Sequence, residues 1–205
     1  ENLSHELQTQ LAIIRNTTEN IINQKATNED SITARGLKSI YSSVNKLYQV
    51  QKSLMLLSKI GNLEFNKTTN INFRDIAEQV LGKYSEAFAL REIKISSDMD
   101  NCHLSIDSGL AEIMANNLFK NALKHNINNG YVLVKLNTQS LIIENSGLQY
   151  KGNPEQLFQR FSKGENGNYG IGLSIVKQIC ELYSYHISYT IEENSKHIIQ
   201  VLFKQ

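Results

Sequence analysis

Leu3, Leu7, Leu11, Ile14, Thr18 and Ile21 recur at three- and four-residue steps, the spacing that lines one face of an α-helix. A polar stretch from Asn23 to Thr33 follows, with Thr27-Asn28-Glu29-Asp30 inside it, and predicts the connection of a helical hairpin. Leu37, Ile40, Val44, Leu47, Leu54 and Leu57 then repeat the helical period up to Gly61-Asn62, a helix stop. Two helices of roughly 25 residues with one apolar seam each bury those seams poorly in a lone hairpin. Pairing two hairpins into a four-helix bundle buries them. An arm folded onto the rest of the chain is the alternative.

From Phe65 the period changes. Short β-like runs (Thr69–Phe73, Ile93–Ser97, His103–Ile106, Tyr131–Asn137, Leu141–Glu144, Ser184–Ile191, His197–Phe203) alternate with helical ones over Arg74–Leu90, Ser108–His125 and Ile171–Tyr183. A Gly-rich irregular stretch spans Gly147 to Gly170. Late adjacent strands with segregated helices predict an α+β fold: an N-terminal antiparallel helical hairpin, residues 1–62, then a two-layer α/β sandwich, residues 67–205.

Composition narrows the reading. In 205 residues, 21 basic and 20 acidic side chains nearly cancel, so nothing marks a nucleic-acid surface. A single Pro, Pro154, leaves the first half free for long helices. Cys102 and Cys180 form no disulfide framework or metal spacing, as expected of reduced thiols. No apolar run approaches the roughly 18–20 residues of a membrane-spanning helix. The chain begins at Glu1, without Met, within a helical pattern, and so reads as a fragment.

Ser4-His5-Glu6-Leu7-Gln8-Thr9 sits on the first helix. At about 100° per residue, His5 lies roughly 165° from the middle of the apolar seam and faces solvent, with Thr9 one turn on. An exposed imidazole with Glu6 beside it suits phosphoryl transfer to nitrogen: the attacking atom is reachable, and an acceptor can hold the tautomer. Thr9 could place a water for the reverse step. A zinc protease is excluded, because His-Glu-x-x-His needs His where Thr9 stands. An ordinary surface histidine is the plain alternative.

Asn117, Asn121 and Lys124 are spaced i, i+4, i+7 in the segment from Asn116 to Asn126 and share one helix face. Asn costs about 0.5 kcal/mol or more against Ala inside a helix, so its use there calls for a reason. Mg²⁺, a hard cation held by oxygen ligands, is one, and Lys124 would meet a phosphate. A solvated polar face is the other.

Leu141 to Gly147 reads as a strand running into a turn, where Asn145 could read a base edge and Gly147 would let backbone approach a ligand. Gly167, Gly170 and Gly172 precede the helix that begins near Ser174, and a Gly-rich loop opening a helix offers free N–H groups to phosphate. Neither a Rossmann unit nor a Walker A motif fits. Leu157 to Lys163 could anchor a mobile lid through its two Phe, with Arg160 and Lys163 facing phosphates. A plain turn and a small satellite hydrophobic cluster are the alternatives.

In this order and at these separations, over nearly the whole chain, the motifs resemble the sensor histidine kinases of bacterial two-component systems. Ser4 to Thr9 resembles the H box, with His5 as phosphoacceptor, and Asn117 to Lys124 the N box, with Asn121 as principal Mg²⁺ ligand. Asn145-Ser146-Gly147 stands at the G1 box, Phe158 to Phe161 at the F box and Gly170-Ile171-Gly172-Leu173 at the G2 box.

The resemblance implies a Bergerat (GHKL-type) ATP-binding fold and ATP·Mg²⁺ as phosphoryl donor. It also implies a homodimer, transfer to a response-regulator receiver domain, and a phosphatase activity using Glu6 and Thr9. The chain would be the cytoplasmic portion of an inner-membrane protein, touching membrane only through segments outside it. Gln8 and Gln10 replace the usual Arg and Pro, and Asn145 the usual Asp. His125 replaces an aromatic that packs near adenine. Asn145 keeps a carbonyl acceptor for the adenine amino group but loses the charge. The departures motivate an alternative, a catalytically weak or phosphatase-biased signalling dimer. A gyrase- or chaperone-like ATPase is a third reading, which leaves the exposed His5 helix unexplained.

Overall fold

The structure, a computed structural model, describes residues 11–19, 21, 32–62, 64–65, 67–150, 152–159, 162–163, 169–192 and 195–203. His5, Glu6, Thr9 and Arg160 lie outside the described residues. The chain divides into two compact units, Glu1–Ser58 and Lys59–Gln205.

In the first unit, α1 covers residues 11–19 and α2 runs through 30 residues, Ile32–Gly61. The Arg15 guanidinium sits 5.4 Å over the Tyr48 ring and joins the two helices. On α2, Val44 and Leu57 are buried, whereas Ile40, Leu47 and Leu54 stay 50%, 56% and 40% exposed. Those three recur every seven residues, so one apolar stripe of the helix is left uncovered.

The second unit is a two-layer sandwich. Its five-stranded sheet has the order β2-β4-β5-β9-β8, from β2 (Lys94–Met99), β4 (Tyr131–Leu136), β5 (Ser140–Ser146), β8 (His186–Glu192) and β9 (Lys196–Leu202). Only the β2–β4 pair is parallel. Between these two strands the chain passes through β3 (His103–Ile106) and α5 (Ser108–Lys124), the crossover that parallel pairing demands. β1 (Thr69–Asn72) pairs with β3 in a separate antiparallel ribbon.

α5 packs against β5, against α3 (Phe73–Lys83) and against α6 (Gly172–Leu182). Asp107 starts α5, its carboxylate accepting from the Gly109 and Leu110 N–H groups. Leu110, Met114, Leu118 and Phe119 fill the core, and Ala111, Ala115 and Ala122 bring the backbone close to its neighbours.

The predicted helix Arg74–Leu90 is two helices, α3 and α4 (Ser85–Leu90). They break at Tyr84, where the Ser85 hydroxyl donates to the Gly82 carbonyl in competition with the helical bond. Within the Gly-rich stretch, Pro154–Phe158 forms a 3-10 turn, and β6 (Ser162–Lys163) pairs with β7 (Tyr169–Gly170). No helix among the described residues is long and apolar enough to cross a membrane.

Candidate nucleotide site

The sheet registers show how the site is built. Leu136, Leu141 and Val201 form one cross-strand row, and Val134, Ile143 and Ile199 the next. All six are buried. The third row on that covered face is Val132, Asn145 and His197. The aliphatic face thus ends in two polar side chains, 1% and 5% exposed. Side chains of this kind are kept inside a fold only with partners.

His197 has a partner at each ring nitrogen. Nε2 lies 2.8 Å from the Leu148 carbonyl, which can only accept, so Nε2 carries the proton. In the neutral ring Nδ1 then accepts from the Tyr189 hydroxyl at 2.8 Å. Burial pushes the Tyr189 phenol well up, which keeps it a donor. His197 therefore pins the chain just after Asn145-Ser146-Gly147 to the β8–β9 pair. Nothing in the sequence marks His197 or Tyr189, because neither carries a motif and their pairing is set by register.

Gly147 is wedged beside this ring. A Cβ there would overlap the His197 imidazole and come 2.9 Å from the His125 carbonyl oxygen. The imidazole is fixed at both nitrogens, so neither neighbour can retreat. Gly147→Ala is expected to destabilise the protein by about 1–3 kcal/mol, the usual range for overpacking. A wild-type urea midpoint in this variant would show that the turn yields.

Along α5, Asn116 and Asn117 are engaged in the fold. The Tyr84 hydroxyl donates to Asn116 Oδ1 at 2.8 Å. Asn117 Nδ2 donates to the Ile113 carbonyl at 2.8 Å, and a Cβ on Gly172 would fall 2.8 Å from Asn117 Oδ1. The first turn of α6 is therefore pressed against α5, with Leu173 buried behind it. Asn121 is different: its Oδ1 is shielded from solvent and has no hydrogen-bond partner among the described residues. An orphaned, buried carbonyl oxygen one turn beyond Asn117 fits a hard cation. Among the described residues no group of three His, Cys, Asp or Glu side chains could hold a metal.

Lys124 and His125 finish the helix. Burial, then Lys120, lowers the Lys124 ammonium, a penalty that an anionic ligand would relieve. The His125 imidazole is pushed down to about 4, by burial first and then by Lys124 and His197. Neutral His125 presents an aromatic ring rather than a charge. Since the unfolded chain takes up that proton near pH 6.5, the folded state loses stability as pH falls from about 6.5 to about 4. His125→Gln is expected to flatten melting temperature against pH over this window. An unchanged slope would assign it to other groups.

Of the glycine-loop residues, Lys163 lies in β6 and Gly170 in β7, by backbone. The structure brings His125 beside Gly147 and Asn117 beside Gly172, so both glycine motifs close on one helix, α5.

Residues 106–205 match the family model described as histidine kinase-, DNA gyrase B-, and HSP90-like ATPase. The chain is 26% identical over 215 residues to the heme sensor protein HssS of Staphylococcus saprophyticus, covering all of this chain and 46% of that protein. Its fold superposes on the Acinetobacter baumannii histidine kinase AdeS with a TM-score of 0.66 at 21% identity, over 98% of this chain and 97% of that one. With full-length ShkA in complex with AMPPNP the TM-score is 0.71 at 17% identity, over 98% of this chain and 44% of that one. The chain thus spans less than half the length of this curated relative. The polar end of the sheet, the asparagine-bearing helix and these likenesses together support a bacterial sensor histidine kinase catalytic region, in which residues 106–205 form an ATP-binding module of the histidine kinase, gyrase and HSP90 type.

Proposed function

We propose that this catalytic region phosphorylates His5 from ATP·Mg²⁺ and passes the phosphoryl group to an aspartate of a response-regulator receiver domain. The shielded, partnerless Oδ1 of Asn121 carries the reading. Asn121 would hold Mg²⁺ through that oxygen, and the ion would supply neutralisation of phosphate charge. Asn145, at the buried end of β5, reads the adenine edge, and the neutral His125 ring packs near the base. Lys124, with Arg160 and Lys163 from the glycine loop, meets the phosphates. Gly170, Gly172 and Leu173 open α6 toward them.

An imidazole nitrogen of His5 attacks the γ-phosphorus, the bond to the β–γ bridging oxygen breaks, and ADP leaves. Glu6 holds and accepts the proton from the other ring nitrogen. Glu6 with Thr9 would place a water in the reverse, phosphatase reaction on the regulator. The uncovered stripe of Ile40, Leu47 and Leu54 supports a homodimer through a four-helix bundle of residues 1–62. The parent protein would carry this region on the cytoplasmic side of a membrane.

The test is incubation of the chain with γ-labelled ATP and Mg²⁺. The expected product is a phosphoprotein stable in base and labile in acid. Steady ATP hydrolysis with no phosphoprotein would favour a gyrase-like ATPase. Absence of label together with no thermal shift on ATP·Mg²⁺ would favour the catalytically weak or phosphatase-biased dimer suggested by Asn145 and the altered H box.

A further inference from the structure

The groups assigned to the nucleotide stand on two separate elements. Asn121, Lys124 and His125 are at the C-terminal end of α5, and Asn145 and Gly147 at the end of β5. Neither group is useful unless the two ends are held at a fixed separation. A small misplacement of binding groups is costly, because one ligand must satisfy both at once.

The next residue along each element makes the connection. Asn126, directly after His125, is 6% exposed. Its Oδ1 accepts from the Ser146 hydroxyl at 2.6 Å and from the Ile127 N–H at 2.9 Å, and its Nδ2 donates to the Tyr131 carbonyl at 3.0 Å. Ser146 lies between Asn145 and Gly147, and its hydroxyl oxygen accepts from the Tyr131 N–H at 2.9 Å. Arg91 closes the arrangement from outside. Its Nη1 donates to the Leu123 carbonyl at 2.5 Å and its Nη2 to the Asn126 carbonyl at 2.6 Å. Nε donates to Asn128 Oδ1 at 3.0 Å. A planar cation at the negative end of a helix, bonded to one of its last carbonyls and to another just past its cap, fixes both position and direction of that end.

We propose that Arg91, Asn126 and Ser146 form a positioning clasp that sets the distance between the metal- and phosphate-binding end of α5 and the adenine-reading end of β5. The proposal rests on the nucleotide reading above. Its residues touch no ligand; they act through Asn121, His125 and Asn145. A clasp of this kind matters most to a ligand that spans both ends. Adenosine, which meets Asn145 and the His125 ring but neither Asn121 nor Lys124, needs it less.

The experiment uses the 205-residue chain. Ser146→Ala removes the hydroxyl at little change in volume. Arg91→Lys keeps a positive charge but cannot fork onto two carbonyls. Val80→Ala, in the buried core of α3 and not among the residues assigned to the nucleotide, is a matched destabilised control. For each, Kd values for Mg·ATP and for adenosine are measured with the urea midpoint, at a temperature where circular dichroism shows the variant folded.

The expected result is a roughly tenfold rise in the Mg·ATP Kd for both Ser146→Ala and Arg91→Lys, with the adenosine Kd within about twofold of wild type. Val80→Ala should lower the urea midpoint and leave both Kd values alone. Wild-type Mg·ATP affinity in Ser146→Ala and Arg91→Lys would reduce the network to a fold-stabilising role. An equal loss for both ligands would mean that the strand end itself is damaged, and would overturn the clasp. Absence of Mg·ATP binding by wild type would remove the nucleotide reading, and the clasp with it.

Discussion

Replacing Asn121 with Ala is expected to slow phosphorylation of the chain on the order of 100-fold or more and, at the same time, to make the apoprotein more stable by about 1 kcal/mol. The two signs have one cause. Oδ1 of Asn121 is shielded from water and unpaired among the described residues, an arrangement that lowers stability. Ala removes that unsatisfied oxygen and is the better helix former. The same oxygen is the group that would ligate Mg²⁺, whose charge neutralisation is worth several kcal/mol of barrier, each 1.36 kcal/mol being tenfold in rate. Urea unfolding without nucleotide and initial rates of labelling check both halves. A variant that is less stable and still active would return Asn121 to a purely structural role.

The larger effect is expected from His5→Gln: complete loss of acid-labile label with ATP affinity unchanged. Gln matches the imidazole in polarity, but its amide nitrogen has no lone pair free for attack. The other four histidines, His103, His125, His186 and His197, all fall in the second unit. His197 is engaged at both ring nitrogens and 5% exposed, which makes it a poor acceptor. Label remaining in His5→Gln would send the search to His103 and His186, both on exposed strand positions.

Much of the molecule was legible in one dimension. The seven-residue recurrence of Ile40, Leu47 and Leu54 is a helical signal that needs no tertiary contact, and those positions are the uncovered stripe of α2. Alternation through Leu141, Ile143 and Asn145 marks one face of a strand, and the structure buries that face. Elsewhere local pattern fell short. The break at Tyr84 carries a Ser85 hydroxyl bonded to the Gly82 carbonyl and a Tyr84 N–H turned to the Leu81 carbonyl, local bonds that hydrophobic period does not report. The pairing of β1 with β3 outside the main sheet depends on which edge each strand reaches.

What the sequence determined by itself is the order of the main elements, the apolar seams of the hairpin helices, and the residue types able to meet a metal, a phosphate and a base. Those properties follow from periodicity and side-chain chemistry, both local along the chain. Only the tertiary structure decided that His197 lies across from Asn145, that Asn126 and Ser146 join through one hydrogen bond, and that Arg91 caps the helix carrying Asn121. Asn126 and Ser146 are 20 residues apart, Arg91 and Leu123 32 apart. Contacts across such separations are set by strand register and helix packing, for which no short stretch of sequence holds both partners.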